Sequence, residues 1–369
     1  APATTLGTGA VTVTTPTNRK KEETIMGPNL PVKRVFNRLR HSARLLAAAL
    51  CLAPLTAAVS AQTTVRVGGN TEPIIVAQAK GWFDEAGLKV AVTDVANFMQ
   101  YPNMLASGSI DVLDGYLPAN FWNMVQAGAG FKIIAGSAMA VAARNGEPAR
   151  NIRGYVVRKD LYDSGQITKI KDLSGRRLAD FAPVPPKGKI SPFPIGHIVF
   201  GDVFKEIDWV RMQETDILAA LSAKTIDGAR MRTRFVKIAV DKGLAVELAK
   251  ETDYVSPIQV RVLVVRDEFL RQHPDAAAKF LRAYLKAQSY VREVQRGQHK
   301  DDYLQAIKAH SNIPPEIALE LVQELAFTAD LAKDDIQRTQ EHFVMVGAQK
   351  EVVPLEKVYE PKLLEAARK

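Results

Sequence analysis

The sequence predicts an α/β fold built on parallel strands, and residues 65–122 carry the observations behind this prediction. Short runs rich in β-branched residues alternate with helix-forming segments that end at glycines such as Gly87 and Gly108. Strand–helix–strand at this spacing is typical of a parallel crossover unit, which builds α/β sheets. Because open α/β sheets bind ligands beyond the carboxyl ends of their strands, the turns at those ends are the first candidates for a site.

The same criteria give the remaining elements in chain order. Strands are predicted at residues 64–67, 89–95, 110–113, 131–135, 155–158 and 260–265. Helices are predicted at residues 73–82, 101–106, 194–204, 275–296, 301–310, 315–327, 334–346 and 354–368. The C-terminal helices carry no recognisable chemistry, and we expect them to pack on the first part of the chain.

Three turns follow the first three strands, and each combines polar side chains with aromatic rings or flexible backbone. The candidate ligand-binding residues in these turns are Asn70, Thr71, Phe98, Gln100 and Tyr116. We expect Asn70, Thr71 and Gln100 to donate hydrogen bonds to a small molecule. The rings of Phe98 and Tyr116 are suited to cover its apolar part.

The basic excess of the chain is concentrated at its start. The formal net charge is +9, but residues 1–61 account for +6 and residues 62–369 for only +3. A sequence pI near 9.4 is therefore no argument for nucleic-acid binding.

The first 61 residues have the form of a secretion signal. A basic stretch at 33–44 precedes an apolar run at 45–58, and small residues end at Ala61 before Gln62. This pattern predicts a signal peptide over about residues 26–61, cleaved after Ala61, and therefore export from the cytoplasm. An uncleaved membrane anchor is the alternative, although the run is short for a bilayer span. Residues 1–25 are expected to be a disordered extension.

No catalytic, metal-binding or cofactor-binding motif is found. Cys51, the only cysteine, lies in the predicted signal, so the exported part has no disulfide framework, zinc–cysteine site or thiol nucleophile. Phosphate-binding loops, zinc-protease motifs and dinucleotide fingerprints are also missing. We expect no cofactor and no metal. His197 alone among the scattered histidines falls in a predicted binding segment, as a polar wall or a ligand contact.

Two motifs resemble a known family. Residues 79–90 (AKGWFDEAGLKV) and 105–112 (LASGSIDV) resemble paired signatures of the periplasmic substrate-binding proteins of bacterial ABC importers. The branch includes proteins for nitrate, taurine and aliphatic sulfonates and the related thiamine-pyrimidine proteins. The resemblance extends over about residues 63–300.

This resemblance implies a type II periplasmic-binding-protein fold. Such a fold has two lobes, each a mostly parallel sheet flanked by helices, joined by a two-strand hinge that lets a ligand close the lobes. We expect lobe 1 at 62–154, lobe 2 at 155–259, and a return to lobe 1 with C-terminal helices at 260–369. A single continuous sheet without a hinge is the alternative.

The second lobe departs from the family pattern at a loop. Residues 170–179 resemble the family's strand start, after which a Gly-Ser or Gly-Thr turn usually opens an anion-binding helix. Here residues 183–194 contain five prolines instead. Ser191 and Phe193 are candidate pocket walls, and a rigid surface loop is the alternative.

Three arginines point to a negatively charged ligand. Residues 215–221 and 226–229 resemble the family's next helix and strand, after which Trp-Glu-Pro is common. This chain has Arg230, Arg232 and Arg234 instead, which share one side if the chain stays extended. Guanidinium groups bind carboxylate and sulfonate in pairs of hydrogen bonds. A salt-bridged strand end is the alternative.

The sequence thus predicts a monomeric periplasmic binding protein, not an enzyme. It would capture a small organic anion, a sulfonate or carboxylate and conceivably an aromatic one, and deliver it to an ABC permease in the inner membrane. No nucleic-acid partner is expected. A periplasmic ligand sensor and a thiamine-pyrimidine biosynthesis enzyme are the alternatives.

Overall fold

A computed structural model describes residues 62–95 and 97–369. The predicted disordered extension, signal peptide and cleavage point at Ala61 lie outside these residues.

The described chain forms two separate sheets. The first has the strand order β11-β4-β10-β3-β1-β2, with β1 Thr63–Gly68, β2 Leu88–Thr93, β3 Val112–Gly115, β4 Phe131–Ala140, β10 Ile258–Arg266 and β11 Ala326–Phe327. The second has the order β7-β6-β8-β5-β9, with β5 Arg153–Arg158, β6 Arg177–Asp180, β7 Asp208–Arg211, β8 Gly228–Arg232 and β9 Ala245–Lys250. The two sheets contradict the alternative of one continuous sheet.

Helices flank both sheets. Those before and between the early strands are α1 Glu72–Ala79, α2 Trp82–Glu85, α3 Tyr101–Ala106, α4 Ala119–Gln126 and α5 Lys159–Asp163. Those along the second sheet are α6 Pro194–Phe200, α7 Val203–Glu206, α8 Glu214–Ser222 and α9 Thr233–Asp241. The C-terminal helices are α10 Asp267–Gln272, α11 Pro274–Gln295, α12 Lys300–His310, α13 Pro315–Leu321, α14 Lys333–Met345 and α15 Pro361–Ala367.

The α/β class and the two-lobed type II architecture are confirmed, but the sheets are mixed rather than mostly parallel. In the first sheet β1 pairs in parallel with β2 and β3, whereas β10 runs antiparallel to both β3 and β4. In the second sheet β5 runs antiparallel to its two neighbours. The reversed strands, β10 and β5, are the first strands that the chain forms after it passes from one sheet to the other.

The chain crosses between the sheets twice. It leaves the first sheet after β4 through residues 141–152 and returns after β9 through residues 251–257. The two crossings are joined where the backbone N–H of Ala142 donates to the Ser256 hydroxyl at 2.8 Å.

Three predicted helices end earlier than expected, and the one predicted at 194–204 stops at Phe200. The helix predicted at 73–82 divides at Gly81, whose φ of +68° is left-handed and ends the helical hydrogen bonding. The helix predicted at 315–327 stops at Leu321. Ala326 and Phe327 instead pair with β4 as the edge strand β11, because Phe327 is buried there against the first sheet.

The turn after β1 is held by a buried polar network. Gly69 has φ +95°, and a Cβ at this position would lie 2.4 Å from the Asp114 carbonyl oxygen. The hydroxyl of Thr71 donates to Asp114 Oδ2 at 2.5 Å, and that of Tyr284 on α11 donates to the same oxygen at 2.7 Å. The Ser137 hydroxyl lies 2.7 Å from the Tyr284 oxygen. The network therefore joins β1, β3, β4 and α11.

We expect Tyr284→Phe to destabilise the fold. The substitution removes one donor from the buried Asp114 carboxyl and a partner from the buried Ser137 hydroxyl, a loss of about 1–3 kcal/mol in the free energy of unfolding. Urea denaturation measures it. Tyr162→Phe is the control, because Tyr162 is 38% exposed and such surface changes stay within about 0.5 kcal/mol. Equal stabilities for the two variants would contradict the role given to the network.

Candidate functional site

One edge of the second sheet gathers charged residues from four strands. Strands β6 and β8 run in parallel, so Asp180 and Arg230 are neighbours at their carboxyl ends. Strand β5 is antiparallel to β8, which places its first residue, Arg153, beside Arg232. Glu251 follows β9 at the same edge. We call Arg153, Asp180, Arg230 and Glu251 the arginine cluster.

Arg230 lies at the centre of this cluster and is paired twice. Its Nε and Nη2 donate to Glu251 Oε1 at 2.9 and 2.7 Å, and its Nη1 donates to Asp180 Oδ2 at 3.2 Å. All three side chains are buried. Burial alone would lower the pKa of Arg230, but the carboxylates of Glu251 and Asp180 hold it well above its ordinary value. The charge of Arg230 is therefore balanced inside the protein.

Arg153 is the cluster member with spare hydrogen-bond donors. Its closest carboxylate contact is a long one, 3.6 Å from Nη1 to Glu251 Oε2, and the side chain is 31% exposed. Its Nε is buried and has no partner within the described residues. Burial, followed by the neighbouring charge of Arg230, lowers the pKa of Arg153. This guanidinium is the one best placed to gain from an added negative charge.

Phe181 lies between Arg153 and a second arginine. The guanidinium carbon of Arg153 is 5.7 Å from the ring centroid, and that of Arg232 is 5.0 Å from it. Arg232 is also tied to Glu214, which accepts its backbone N–H at 2.7 Å and lies 3.5 Å from its Nε. Guanidinium groups over a ring are attracted to its negative face, so Phe181 keeps both arginines at this edge.

Two buried hydroxyl groups near the cluster have no partner within the described residues. They belong to Tyr155, which is 1% exposed, and to Thr252. The phenol of Tyr155 lies among charged groups that act on its pKa. Burial raises this pKa, Glu251 raises it further, and Arg230 lowers it. Native proteins leave few buried polar groups unpaired, so we expect water or a bound molecule to supply partners for these hydroxyls.

Tyr116, which follows β3 of the first sheet, lies near the arginine cluster. Burial raises the pKa of its phenol, and the charges of Asp335, Arg153 and Arg230 also act on it. The Phe98 ring meets the Tyr116 ring edge to face, with centroids 5.9 Å apart and planes at 80°. Phe98 is 43% exposed. Phe98 and Tyr116 are thus in contact, and the charges of Arg153 and Arg230 reach the Tyr116 phenol.

The polar residues predicted in the first turns have other partners. Asn70 donates from Nδ2 to the His310 carbonyl at 2.7 Å, which leaves its buried Oδ1 without a partner in the described chain. The Thr71 hydroxyl is used by Asp114. Gln100 is exposed at the end of a 3₁₀ turn, Phe98–Gln100. Among these three, Asn70 offers an acceptor rather than the expected donor.

Ser191 and Phe193 close their own turn. The Ser191 hydroxyl donates to the Phe193 carbonyl at 2.8 Å and accepts its backbone N–H at 3.1 Å. Ser191 is buried, and Phe193 is half-buried at the start of α6. We call residues 181–193, which run from Phe181 to this turn, the proline loop. It connects the arginine cluster to α6.

The row of three arginines is not formed. The chain stays extended only to Arg232, because α9 begins at Thr233 and carries Arg234 into the helix. The Arg234 guanidinium lies 4.8 Å from the ring centroid of Phe235 instead. The expected alternation over 230–234 is therefore wrong at its third position.

Sequence reasoning missed Arg153, Tyr155 and Glu251. It searched only beyond the carboxyl ends of strands, where parallel strands present their ligand-binding turns. An antiparallel strand presents its amino end at that edge, so Arg153 and Tyr155 lie there on β5. The available signal was Arg153, two residues before the predicted strand at 155–158.

Glu324, in the segment after α13, faces the start of α9. Its Oε1 is buried without a partner in the described chain. Burial raises the pKa of Glu324 to about 7, against the lowering effect of Arg234 and Arg232. No group of three or more His, Asp or Glu within 62–95 and 97–369 is arranged to hold a metal ion.

Comparisons with known proteins agree on the fold. A family model described as NMT1/THI5 like matches residues 69–296. A solved structure of a putative periplasmic sulfonate-binding protein, SsuA from Methylobacillus flagellatus, has a TM-score of 0.59 and 18% identity, covering 83% of this chain and 94% of that one. The periplasmic nitrate-binding protein NrtA from Synechocystis has a TM-score of 0.56 and 15% identity, covering 83% and 88%.

One similar structure is an enzyme. The desulfurization enzyme DSZB has a TM-score of 0.56 and 14% identity, covering 83% of this chain and 99% of that one. No curated protein matches the sequence at a significant level. Likeness at these identities shows the architecture and leaves the chemistry to the residues of the site.

We expect Arg230→Met and Arg153→Met to differ sharply in stability. Removing Arg230 leaves two buried carboxyl groups without their cation, a loss of about 3–5 kcal/mol in the free energy of unfolding. Removing the partly exposed Arg153, with its single long ion pair, costs about 1 kcal/mol or less. Urea denaturation of both variants checks this. A larger loss for Arg153→Met would reverse the roles assigned to the two arginines.

We also expect Glu324→Gln to change the pH dependence of stability. The folded pKa of about 7 lies above the unfolded value, which is about 4.3. The stabilisation from Glu324 is then complete below the unfolded pKa and is lost as the pH rises through about 7. Between pH 5 and 8 (roughly the window these values span), the wild type should lose stability relative to the variant. Glu320→Gln, at an exposed position of α13, is the control. Parallel curves for wild type and Glu324→Gln would exclude a raised pKa.

Proposed function

Because the chain belongs to the NMT1/THI5-like family, we propose that it is the solute-binding component of an ABC-type importer and captures a small organic anion between two lobes. The observation that carries the proposal is the Arg153 guanidinium with its unpartnered, buried Nε. It lies in the same charge environment as the Tyr155 hydroxyl and opposite Tyr116 of the first sheet. Together these groups offer a cation and two phenolic donors to one guest.

The charge balance of the site favours a guest with one negative charge. The arginine cluster itself holds two arginines and two carboxyl groups, and Arg232 is matched by Glu214. The further positive charge is Arg234, which faces Glu324, a carboxyl with a pKa near 7. A monocarboxylate or monosulfonate therefore compensates the site, whereas a dianion would leave excess negative charge in a buried place. Arg230, which has two internal partners, holds the site together.

The aromatic residues favour an organic anion over a bare inorganic one. Phe98 and Tyr116 contribute an edge-to-face pair from the first sheet, and Phe181 contributes a ring beside Arg153 from the second. Rings on both sides of a gap give an apolar body surfaces to pack against. An aromatic carboxylate or sulfonate satisfies both the rings and the guanidinium.

We infer that the lobes divide at the two crossing segments, 141–152 and 251–257. The sequence prediction put these divisions at 154/155 and 259/260, within or at the edges of the strands β5 and β10. Side-by-side crossings joined at Ala142 and Ser256 form a compact pivot. A ligand that contacts both Tyr116 and Arg153 would hold the lobes closed about it.

The proposed role includes export and delivery to a permease. The sequence before residue 62 has the form of a signal peptide, and the sulfonate- and nitrate-binding proteins named above are described as periplasmic. Across residues 62–95 and 97–369, no helix has the length and apolar character needed to cross a bilayer. A periplasmic location and an ABC permease partner follow as proposals.

Binding rather than catalysis fits the residues of the site. Its likeness to the desulfurization enzyme makes a desulfurization enzyme the second candidate. Cys51 is the only cysteine of the chain and lies before the proposed cleavage point. The groups around Arg153 are hydroxyls and paired charges, which bind and orient an anion without supplying a thiol nucleophile.

Ligand binding should depend on Arg153. We expect benzoate or benzenesulfonate to raise the melting temperature of the wild type, and neutral benzyl alcohol or cationic benzylamine to leave it unchanged. Arg153→Met should raise the dissociation constant of the probe that binds best by about 30-fold or more. The reason is that losing one partner of a buried charge pair costs about 2–5 kcal/mol. Calorimetric titration measures the dissociation constant.

Arg177→Met is the matched control. It removes the same charge from the second sheet, but Arg177 begins β6 at the opposite edge and is exposed. The affinity of the Arg177→Met variant for the same anionic probe should equal that of the wild type. Stabilisation only by neutral or cationic compounds would refute the anion proposal. Mass spectrometry of small molecules that co-purify with the protein would identify the natural guest.

A further inference from the structure

A pair of histidines joins the two halves of the molecule away from the arginine cluster. His197 lies on α6 beside the second sheet, and His342 lies on α14 beside the first. Their ring centroids are 5.5 Å apart with planes tilted by 40°. The residues are 145 positions apart in the sequence, so their contact depends on how the halves meet. Neither histidine is used in the binding of the proposed ligand.

A hydrogen bond anchors the proline loop to the same helix. His342 Nε2 lies 2.9 Å from the Ser191 carbonyl oxygen. A carbonyl only accepts, so Nε2 carries the hydrogen, and in the neutral ring Nδ1 is then the unprotonated nitrogen. His342 is 4% exposed. Because Ser191 ends the loop that starts at Phe181, the contact fixes a segment that borders the arginine cluster.

The surroundings offer little to stabilise a charged imidazole. Asp202 is the carboxylate whose charge reaches His197, but it is exposed and lies 2.7 Å from Lys205. On α14, Asp335 is paired with Arg338 at 2.7 Å. His197 Nδ1 is buried and has no partner among the described residues. A proton on His342 would therefore place a charge beside the His197 ring in a poorly solvated contact.

We propose that His342, packed against His197, is a pH-sensitive latch that holds the proline loop against α14 while its ring is neutral and releases it when that ring is protonated. Contact geometry is the basis of the latch. Burial also lowers the pKa of His342, and the neighbouring His197 lowers it further, against the raising effect of the Ser191 carbonyl. The latch is expected with or without a ligand. Its effect on affinity rests on the proposed function.

The sign of the pH effect follows from this environment. A histidine with a pKa that is lower in the closed contact than in water stabilises closure above its ordinary pKa. That contribution is lost as the pH falls through the lowered pKa. Glu324, which faces the start of α9 and has a pKa of about 7, is present in every variant. Its contribution therefore cancels in a comparison of variants.

The test measures the distance across the latch without any ligand. Lys189→Cys on the proline loop and Met345→Cys on α14 are exposed positions that accept spin labels, on a Cys51→Ser background. Electron paramagnetic resonance distances are recorded at pH 7.5 and 5.5 (roughly one unit either side of the ordinary histidine pKa). We expect a short, narrow distribution at the higher pH and a longer, broader one at the lower pH.

His342→Gln separates titration from folding, because the glutamine amide can donate to the Ser191 carbonyl without titrating. This variant should keep the short distance at both pH values, and His310→Gln, at an exposed histidine on α12, should behave as the wild type. A distribution that does not change with pH in the wild type, or that changes equally in His342→Gln, would overturn the latch. Thermal melts establish that each variant is folded.

Titration with benzenesulfonate links the latch to binding. The dissociation constant of the wild type should rise by roughly threefold or more between the two pH values, and that of His342→Gln should rise less. Binding that weakens equally in both proteins would overturn the coupling alone. Failure of every anion probe to bind would contradict the proposed function, and the spin-label distances would still decide on the latch.

Discussion

The buried guanidinium of Arg230 determines how the second sheet presents its charged edge. Its partners Asp180 and Glu251 lie 50 and 21 positions away in the chain. Three chain segments are thereby fixed to one point, and the cation that fixes them is neutralised on both sides. A buried ion cluster of this kind costs desolvation energy, which its hydrogen bonds and charge pairs offset. This arrangement positions Arg153 beside Arg230 and leaves the Nε donor of Arg153 without a partner among the described residues.

In the proposed function, the two sheets divide the recognition of a guest between them. The first contributes the rings of Phe98 and Tyr116, and Tyr116 follows β3, whose Asp114 is tied to Tyr284 of α11. The second contributes charge, through Arg153, and an additional ring, Phe181. Each half alone offers an incomplete site. The affinity for a guest would then depend on the relative placement of the halves, and therefore on the contacts between α6 and α14.

Sequence patterns predicted the local elements better than their assembly. The strand at 64–67 and the helix Tyr101–Ala106 follow from residue type and glycine stops, which act within a few positions. The direction of β10 could not be predicted in this way, because it depends on the path of about 120 intervening residues.

The same limit applied to the candidate site. Arg153 was missed because its importance comes from an antiparallel neighbour, and Arg234 was misplaced because α9 starts one residue before it. Asn70 and Thr71 are at the predicted edge, but their side chains serve the protein. The partner of Ser191 is His342, 151 positions away, which no local pattern could show. Position at a strand end was predictable, whereas the choice of hydrogen-bond partner was not.

The place of β10 in the first sheet has a consequence for biogenesis. It lies between β3 and β4 and pairs with both, so the interior of that sheet is incomplete until residue 266 has been synthesised. The second sheet, by contrast, uses only residues 153–250 and is continuous in the chain. The strands β1 to β4 are therefore synthesised before the strand that joins β3 to β4. If the chain is exported as proposed, this order of synthesis suits a translocation channel that accepts only unfolded chains.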